Sequence, residues 1–147
     1  MRGDILEQLN EILKLDWQIM QAQKKCTQQI LEEHSVYYAQ APILHALKTL
    51  GECSQASLAD FLATSPASVA VSLNRLSKLE LIKRQANKND LRYNTVSLTK
   101  KGMEAANLAE STLFTINQKK FEGFSDEDVK TFINYKKRIL ENLKKKG

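Results

Sequence analysis

The sequence predicts a mainly α-helical protein with a small β-hairpin: a winged helix-turn-helix core flanked by longer N- and C-terminal helices. Three observations indicate this fold. The first thirty residues carry a helical apolar repeat, two short capped helices joined by three residues lie in the middle, and a β-rich segment follows them directly. The 147 residues, 42% hydrophobic and 27% charged, are enough for one folded domain.

The N-terminal apolar repeat predicts one long helix from about residue 4 to residue 33. Asp4 followed by Glu7 has the N-cap-to-N3 spacing of a capping box. A helix of about 30 residues is about 45 Å long, which exceeds what a domain of this size needs. We therefore expect part of its apolar stripe to pack against another chain. The stripe consists of Ile5, Leu9, Ile12, Leu13, Trp17 and Met20.

Helix breakers and capping residues predict three further helices in the middle of the chain. Pro42 begins a helix that ends near Leu50, before a glycine. Ser54 caps the next helix, and residues 63–65 connect it to a fourth helix, which Ser65 caps and which runs to about residue 79. This spacing is typical of a helix-turn-helix. The expected inward-facing residues are Leu58, Ala59, Phe61, Leu62, Val69, Leu73 and Leu76.

The remaining sequence predicts a β-hairpin and two more helices. Segments 81–85 and 93–98 are β-rich, and residues 87–90 between them have turn chemistry. Thr99 caps a fifth helix, and Ser125 caps a sixth with Asp128 at N3. Both helices carry more apolar surface than the small core can cover, so we expect a second copy of the chain to cover it. The apolar residues are Met103, Ala106, Leu113, Ile116, Val129, Phe132, Ile133, Ile139, Leu140 and Leu143.

The positive charge of the chain is concentrated in one segment. The whole chain has a formal net charge of +5, but residues 66–101 contain eight basic and two acidic side chains and the rest of the chain is close to neutral. A local excess of this kind indicates an anionic partner and predicts which face of the molecule meets it.

Several other classes of protein are not supported by the sequence. No apolar run approaches the about 20 residues that span a bilayer, and no secretory segment is evident, so we expect a cytoplasmic protein that does not bind membranes. Cys26 and Cys53 form no disulfide or zinc motif, so we expect no metal and no cofactor, although Cys26 with Glu32, Glu33 and His34 leaves a weak metal alternative open. No phosphate loop or nucleophile elbow occurs, so we expect that the chain is not an enzyme.

A series of short motifs runs from residue 47 to residue 102: Leu47–Gly51, Gln55–Leu62, Ser65–Val69, Asn74–Leu76, Leu81–Arg84, Asp90–Arg92 and Val96–Gly102. In this order and spacing they resemble the MarR family of transcriptional regulators. The resemblance implies a single MarR-type domain over residues 1–147. Residues 42–102 would form the DNA-binding lobe, and residues 1–34 and 103–147 the dimerisation helices. One departure is Glu80, where many members have Gly, the usual residue of a left-handed helix cap.

The fourth helix and the hairpin are the predicted contacts to double-stranded DNA. The major groove admits one α-helix, and residues near the start of that helix reach base edges. In the resembled family an Arg of the hairpin, here Arg92, enters the minor groove, and Asp90 orients it. A narrow minor groove attracts such an Arg through its negative potential. The predicted DNA-binding residues are Ser65, Ala67, Ser68, Ala70, Ser72, Asn74, Arg75, Lys83, Arg84, Lys88, Asp90 and Arg92.

The resemblance also implies an effector site in the crevice between the DNA-binding lobe and the dimerisation helices. By position, the crevice is lined by Trp17, Met20, Tyr37, Tyr38 and His45, although aromatic and Met residues at helical spacing are also consistent with plain core. Some members of the family sense oxidants through a Cys near the N-terminus. Whether Cys26 is redox-active stays open, since a buried Cys is often only a small hydrophobic residue.

These observations lead to one functional hypothesis and two alternatives. The hypothesis is a sequence-specific transcriptional regulator, a repressor that binds a pseudo-palindromic operator as a homodimer and is released by a small-molecule or redox effector. The alternatives are a winged-helix module that binds protein, and a ligand- or metal-binding sensor with weak DNA affinity.

Overall fold

The computed structural model describes residues 2–86 and 94–147, and over these residues the chain is mainly helical with a three-stranded antiparallel sheet. Residues up to Phe114 form one compact unit, and Thr115–Gly147 form a second. The elements are, in chain order, α1 (Arg2–Glu33), a 3₁₀ helix (Tyr38–Gln40), α2 (Ala41–Leu50), β1 (Cys53–Ser54), α3 (Gln55–Leu62), α4 (Pro66–Lys78), β2 (Ile82–Ala86), β3 (Asn94–Leu98), α5 (Lys100–Lys120) and α6 (Asp126–Lys144).

The predicted helix-turn-helix is confirmed, because the residues expected to end and begin its helices do so. The Ser54 Oγ accepts a hydrogen bond from the Ser57 amide at 3.1 Å, and the Ser65 Oγ accepts one from the Ser68 amide at 3.2 Å. Gly51 closes α2 with a φ of +70°, a conformation that suits glycine. Each cap satisfies amide groups that have no partner inside the helix.

The core of the first unit lies between α2, α3, α4 and the sheet. Its fully buried side chains come mainly from α2 and from the predicted inward faces of α3 and α4, together with Leu31 at the end of α1 and Val96 in β3. Burial of a Leu or Val side chain contributes about 1.5–3 kcal/mol, so this cluster is the main source of stability in the unit. The largest fully buried residues are Leu31, Leu44, Leu47, Leu58, Val69, Leu73, Leu76 and Val96.

The sheet has the strand order β1-β3-β2, and both pairs are antiparallel. In the β2–β3 pair, Ile82 lies opposite Leu98 and Ala86 opposite Asn94, which confirms the two predicted β-segments over the residues described. The predicted turn at 87–90 and Tyr93 lie outside those residues. β1 was not predicted, because two residues are too short to show a period of two.

Two local predictions are wrong. Helix α1 begins at Arg2, so Asp4 lies in its first turn and is not an N-cap residue. A carboxylate there still interacts favourably with the positive end of the helix dipole. Phe61 was expected to face inward with Leu58, but it is 45% exposed, because the inward face of α3 is formed by Leu58, Ala59 and Leu62 and Phe61 lies beside that face.

The turn between α4 and β2 has a left-handed conformation at Glu80, the position where many members of the resembled family have Gly. Glu80 has a φ of +61°, a region that non-glycine residues adopt at a cost of about 1 kcal/mol or more. The start of α5 holds this turn in place. The Thr99 Oγ1 donates to the Glu80 carbonyl at 2.7 Å, and the Thr99 amide donates to the Leu81 carbonyl at 3.1 Å. Gly102 is required here, since a Cβ on it would lie 1.8 Å from the Leu81 carbonyl oxygen.

The N-terminal part of α1 leaves the predicted apolar stripe uncovered within one chain. Every residue from Arg2 to Ala22 is exposed, including Trp17 at 61%, whereas Thr27 and Leu31 further along the helix are buried. Among the residues that the structure describes, no single helix has the length and apolar character to cross a membrane, although α3 and α4 together reach that length and composition across a bend of 113°.

The second unit consists of the end of α5, a turn at Gly123 and α6. The Ser125 Oγ accepts from the Asp128 amide and the Asp128 Oδ2 from the Ser125 amide, both at 3.0 Å, which confirms the predicted capping box. The Phe121 ring meets the edges of Phe124 and Phe132, each with ring centroids 5.5 Å apart. α6 has no buried residue, so its predicted apolar stripe is uncovered in a single chain.

Candidate nucleic-acid interface

The two helices of the helix-turn-helix are fixed at an angle of 113°. Such motifs commonly cross at about 90–120°. Ala63 makes the turn possible by adopting a left-handed conformation with a φ of +51°. The Gln55 Nε2 at the start of α3 donates to the Pro66 carbonyl at 3.3 Å, so the beginnings of both helices are tied together.

Helix α4 has one buried and one exposed side. Val69, Leu73 and Leu76 are buried at a spacing of three to four residues, which leaves the other side of the helix toward solvent. The exposed side includes the first-turn residues Ser65, Ala67 and Ser68 and, further along, Val71, Asn74 and Arg75. Its side chains are small near the N-terminus and polar or basic near the C-terminus.

Two of the predicted recognition residues are less exposed than expected. Ala70 and Ser72 are half-buried. Ser72 and Ser68 line a groove of about 230 Å³ whose other walls come from α2 and the end of α3. Ser72 is therefore less accessible than the exposed Ser68, because α2 and α3 pack beside it.

The base of the hairpin lies next to the exposed side of α4. Lys83 and Arg84 in β2 are exposed. The Arg84 Nη2 donates a hydrogen bond of 2.9 Å to the Asn74 Oδ1 on α4, so the structure brings these two predicted site residues together. The other predicted residues of the hairpin, Lys88, Asp90 and Arg92, lie outside the described residues.

The described part of residues 66–101 has a strongly positive surface. Six basic side chains there are exposed, and Glu80 is the acidic one among these described residues. Lys101 is directed toward the end of α4, where its Nζ donates to the Leu79 carbonyl at 3.1 Å. The six are Arg75, Lys78, Lys83, Arg84, Lys100 and Lys101.

A cavity of about 550 Å³ lies between the second half of α1, residues 37–40 and the C-terminal end of α4. Tyr37 and Tyr38, two of the five residues predicted for an effector site, line it. The other three are elsewhere: Trp17 and Met20 lie on the exposed part of α1, and His45 is exposed on α2. The remaining lining residues are Lys24, Gln28, Glu32, Ala39, Gln40, Arg75, Lys78 and Leu79.

The cavity has a mixed aromatic and basic lining. The Lys24 Nζ lies 5.8 Å from the centroid of the Tyr38 ring, within the range of a cation–π contact. The lining residues include three basic side chains and one carboxylate: Lys24, Arg75 and Lys78 against Glu32. Rings and excess positive charge at one cavity are suited to a small anion with an apolar or aromatic part.

Both cysteines are free and half-buried. Burial raises the pKa of the Cys53 thiol, which disfavours the reactive thiolate. Across residues 2–86 and 94–147 there is no group of three or more His, Cys, Asp or Glu side chains placed to hold a metal ion.

Sequence reasoning missed how the site residues are connected. The Asn74–Arg84 and Gln55–Pro66 hydrogen bonds join different elements, and no local spacing reveals such pairs. The cavity residues Lys24 and Lys78 come from two distant segments. Their positive charge was the one available signal, but it did not indicate that they share a cavity.

The helix-turn-helix, its exposed α4 and the adjoining antiparallel hairpin define the chain as a winged helix-turn-helix protein. Residues 36–93 match the model of the MarR family. No curated protein matches the sequence.

Solved structures show the same fold over nearly the whole chain. A MarR-like protein from Bacillus cereus superposes with a TM-score of 0.80 at 18% identity, covering 93% of this chain and 99% of that one. A mutant of MarR from E. coli in complex with operator DNA gives a TM-score of 0.76 at 19% identity, covering 90% and 96%. MepR from S. aureus in complex with DNA gives 0.72 at 21% identity, covering 88% and 94%.

Proposed function

We propose that this protein is a DNA-binding transcriptional regulator that acts as a homodimer and represses transcription from a pseudo-palindromic operator. The observation that carries the proposal is the placement of Arg84 beside Asn74, which puts the exposed side of α4 and the basic base of the hairpin on one continuous surface. The similar structures of MarR with operator DNA and of MepR with DNA support the same role for this surface.

The shape and charge of α4 suit the major groove. Thirteen residues form a helix about 20 Å long, and the groove is about 12 Å wide, enough for one helix. Ser65, Ala67 and Ser68 would offer hydroxyl and methyl groups to base edges from the first turn. Arg84 and Lys83 would neutralise phosphates beside the groove, and Arg92 would enter the next minor groove.

The uncovered apolar residues of α1 and α6 support the homodimer. Stripes such as Leu9 to Met20 and Phe132 to Leu143 would each expose a substantial apolar area on a single chain, which soluble monomers rarely do. A two-fold axis would place two copies of α4 about one helical turn of DNA apart, about 34–36 Å, so that each copy reads one half of a pseudo-palindrome. In this proposal residues 1–34 and 103–147 supply the dimer contacts, and residues 42–102 bind the DNA.

The cavity between α1 and the end of α4 supports regulation by a small molecule. Three residues at the C-terminal end of α4 also line the cavity: Arg75, Lys78 and Leu79. A ligand that binds best to a dimer in which the two copies of α4 do not match the spacing of successive major grooves would shift the population away from the DNA-binding state. The proposal also retains the expected cytoplasmic location and the expectation that the chain is not an enzyme.

Operator binding measured over a range of salt concentrations tests this function. The DNA between this gene and its neighbours would be the first bait. Arg92→Ala should weaken binding by about 1–3 kcal/mol if the side chain makes a specific groove contact, and Lys88→Ala should weaken binding to every sequence and reduce the salt slope by about 1.

Lys25→Ala on α1 is the matched control, because it removes an exposed lysine outside the proposed surface. It should leave both affinity and salt slope unchanged. Absence of salt-dependent duplex binding by the unmodified protein would favour a module that binds another protein. Unchanged affinity and slope in both Arg92→Ala and Lys88→Ala would remove the hairpin from the interface.

A further inference from the structure

The hydrogen bond between Arg84 and Asn74 follows from the register of the sheet. Arg84 lies opposite Val96, and Ile82, two residues earlier, lies opposite Leu98. Opposed residues in an antiparallel pair share one face, so Arg84 points to the same face as the buried Ile82 and Val96. The core ends between Ile82 and Arg84, and the guanidinium therefore extends along α4 as far as Asn74.

The opposite end of the same junction is fixed by α5. The Glu80 and Leu81 carbonyls accept hydrogen bonds from Thr99, and Lys101 donates to the Leu79 carbonyl. Gly102 packs directly against the Leu81 carbonyl. Residues 99–102 thus hold the turn between α4 and β2, and the Asn74–Arg84 bond is a further attachment between the same two elements.

We infer that Asn74 is a positioning residue for Arg84. It fixes the base of the β2–β3 hairpin to α4 and directs the Arg84 guanidinium toward a DNA phosphate. The inference rests on the proposed DNA-binding function. It assigns to Asn74 a role other than base reading, which its position on the exposed side of α4 would otherwise suggest.

The chemistry of the two side chains supports this assignment. Asn recognises adenine with two bonds, for which its carbonyl oxygen accepts and its amide nitrogen donates. Here the carbonyl oxygen already accepts from a charged donor, so base reading would have to share or break that bond. Arg has five N–H donors in a rigid fork, and one bond to Asn74 leaves others for the oxygens of a phosphate.

A double-mutant cycle on DNA binding tests the inference. Asn74→Ala, Arg84→Ala and the double variant would be titrated against the operator and against an unrelated duplex at several salt concentrations. Arg84→Ala should weaken binding about five- to tenfold on both duplexes and reduce the salt slope by about 1. Asn74→Ala should cause a smaller loss on both duplexes, because Arg84 is still present but no longer held.

The decisive expectation is that Asn74→Ala causes no further loss once Arg84 is Ala. A residue that acts only through Arg84 has no effect without it, whereas independent contacts would give multiplied losses. Multiplied losses, or a loss from Asn74→Ala that is confined to the operator, would overturn the inference and make Asn74 a base reader. Lack of duplex binding by the unmodified protein would overturn the proposed function, and this inference with it.

Two additional variants keep the result interpretable. Asn74→Leu has a similar size without the acceptor oxygen and should behave like Asn74→Ala. Asn107→Ala changes an exposed helical asparagine on α5, outside the junction. Its dimer is checked first by sedimentation, because residues 103–147 are proposed to supply dimer contacts, and with the dimer intact it should bind both duplexes like the unmodified protein. Asn74 and Arg84 are both exposed, so their substitution should not shift the thermal unfolding midpoint.

Discussion

The leucines of α4 and those of α6 have very different surroundings within one chain. Leu73 and Leu76 are fully buried, together with the apolar residues of α2, α3 and the sheet, whereas Leu140 in α6 is 51% exposed. The difference shows that the winged helix core covers its own apolar surface. The apolar residues of α6 and of the first part of α1 are exposed and are available to another surface.

The largest effect expected from this comparison is the loss of a core leucine. Leu73→Ala should lower the free energy of unfolding by about 2–5 kcal/mol, because it removes buried methyl groups and leaves a cavity. Urea denaturation followed by circular dichroism measures the change. Val71→Ala on the same helix is the control: Val71 is 56% exposed, and its substitution should change stability by no more than about 0.5 kcal/mol. Similar losses in both variants would show that Leu73 is no more buried than Val71.

The next effect in size concerns the proposed dimer. Leu140→Ala should leave the core of the winged helix folded but weaken the dimer by about 2–3 kcal/mol, since each copy loses the burial of about half a leucine side chain. Sedimentation equilibrium measures the dissociation constant. Arg138→Ala, about opposite Leu140 on the helix, is the matched control and should leave that constant unchanged. An unchanged dimer in Leu140→Ala would mean that the apolar stripe of α6 meets something other than a second copy.

The features that could be predicted from the sequence are those determined by neighbouring residues. Each of three serines caps the helix that follows it: Ser54, Ser65 and Ser125. These caps are local, because the amide that donates to the serine oxygen lies only three residues later. The buried positions Val69, Leu73 and Leu76 follow from helical spacing in the same way. The prediction that Asp4 is the N-cap is wrong because α1 already includes Arg2 and Gly3 and therefore begins before Asp4.

The features that escaped prediction depend on residues far apart in the chain. β1 exists only because Cys53 and Ser54 meet β3, more than forty residues later. Asn74 and Arg84 are brought together by the register of the sheet, and the basic cavity by the meeting of α1 with the end of α4. Composition and periodicity carry no information on such contacts. The sequence could therefore suggest α4 and the hairpin as a candidate DNA-binding surface, but not the hydrogen bond that connects them.

The smallest effect concerns an ion pair at the surface of the first unit, between Lys48 on α2 and Glu110 on α5. The hydrogen bond from Lys48 and its positive charge lower the pKa of Glu110 below the reference value of 4.5, and the charge of His45 adds to this in a minor way. A lowered carboxyl pKa stabilises the folded state at neutral pH. That contribution is lost as the pH falls from about 4.5 through the lower folded-state value.

Urea denaturation between pH 7 and about pH 3 should therefore show a slightly shallower decline of stability in Glu110→Gln than in the unmodified protein. Lys48→Met removes the other partner and should give the same shallower decline, while the double variant should add nothing to either. The effect is small because both side chains are partly exposed and solvent screens the pair. A decline in Glu110→Gln as steep as in the unmodified protein would show that this contact is not formed in solution. It would also leave the packing of the core as the source of stability in the first unit.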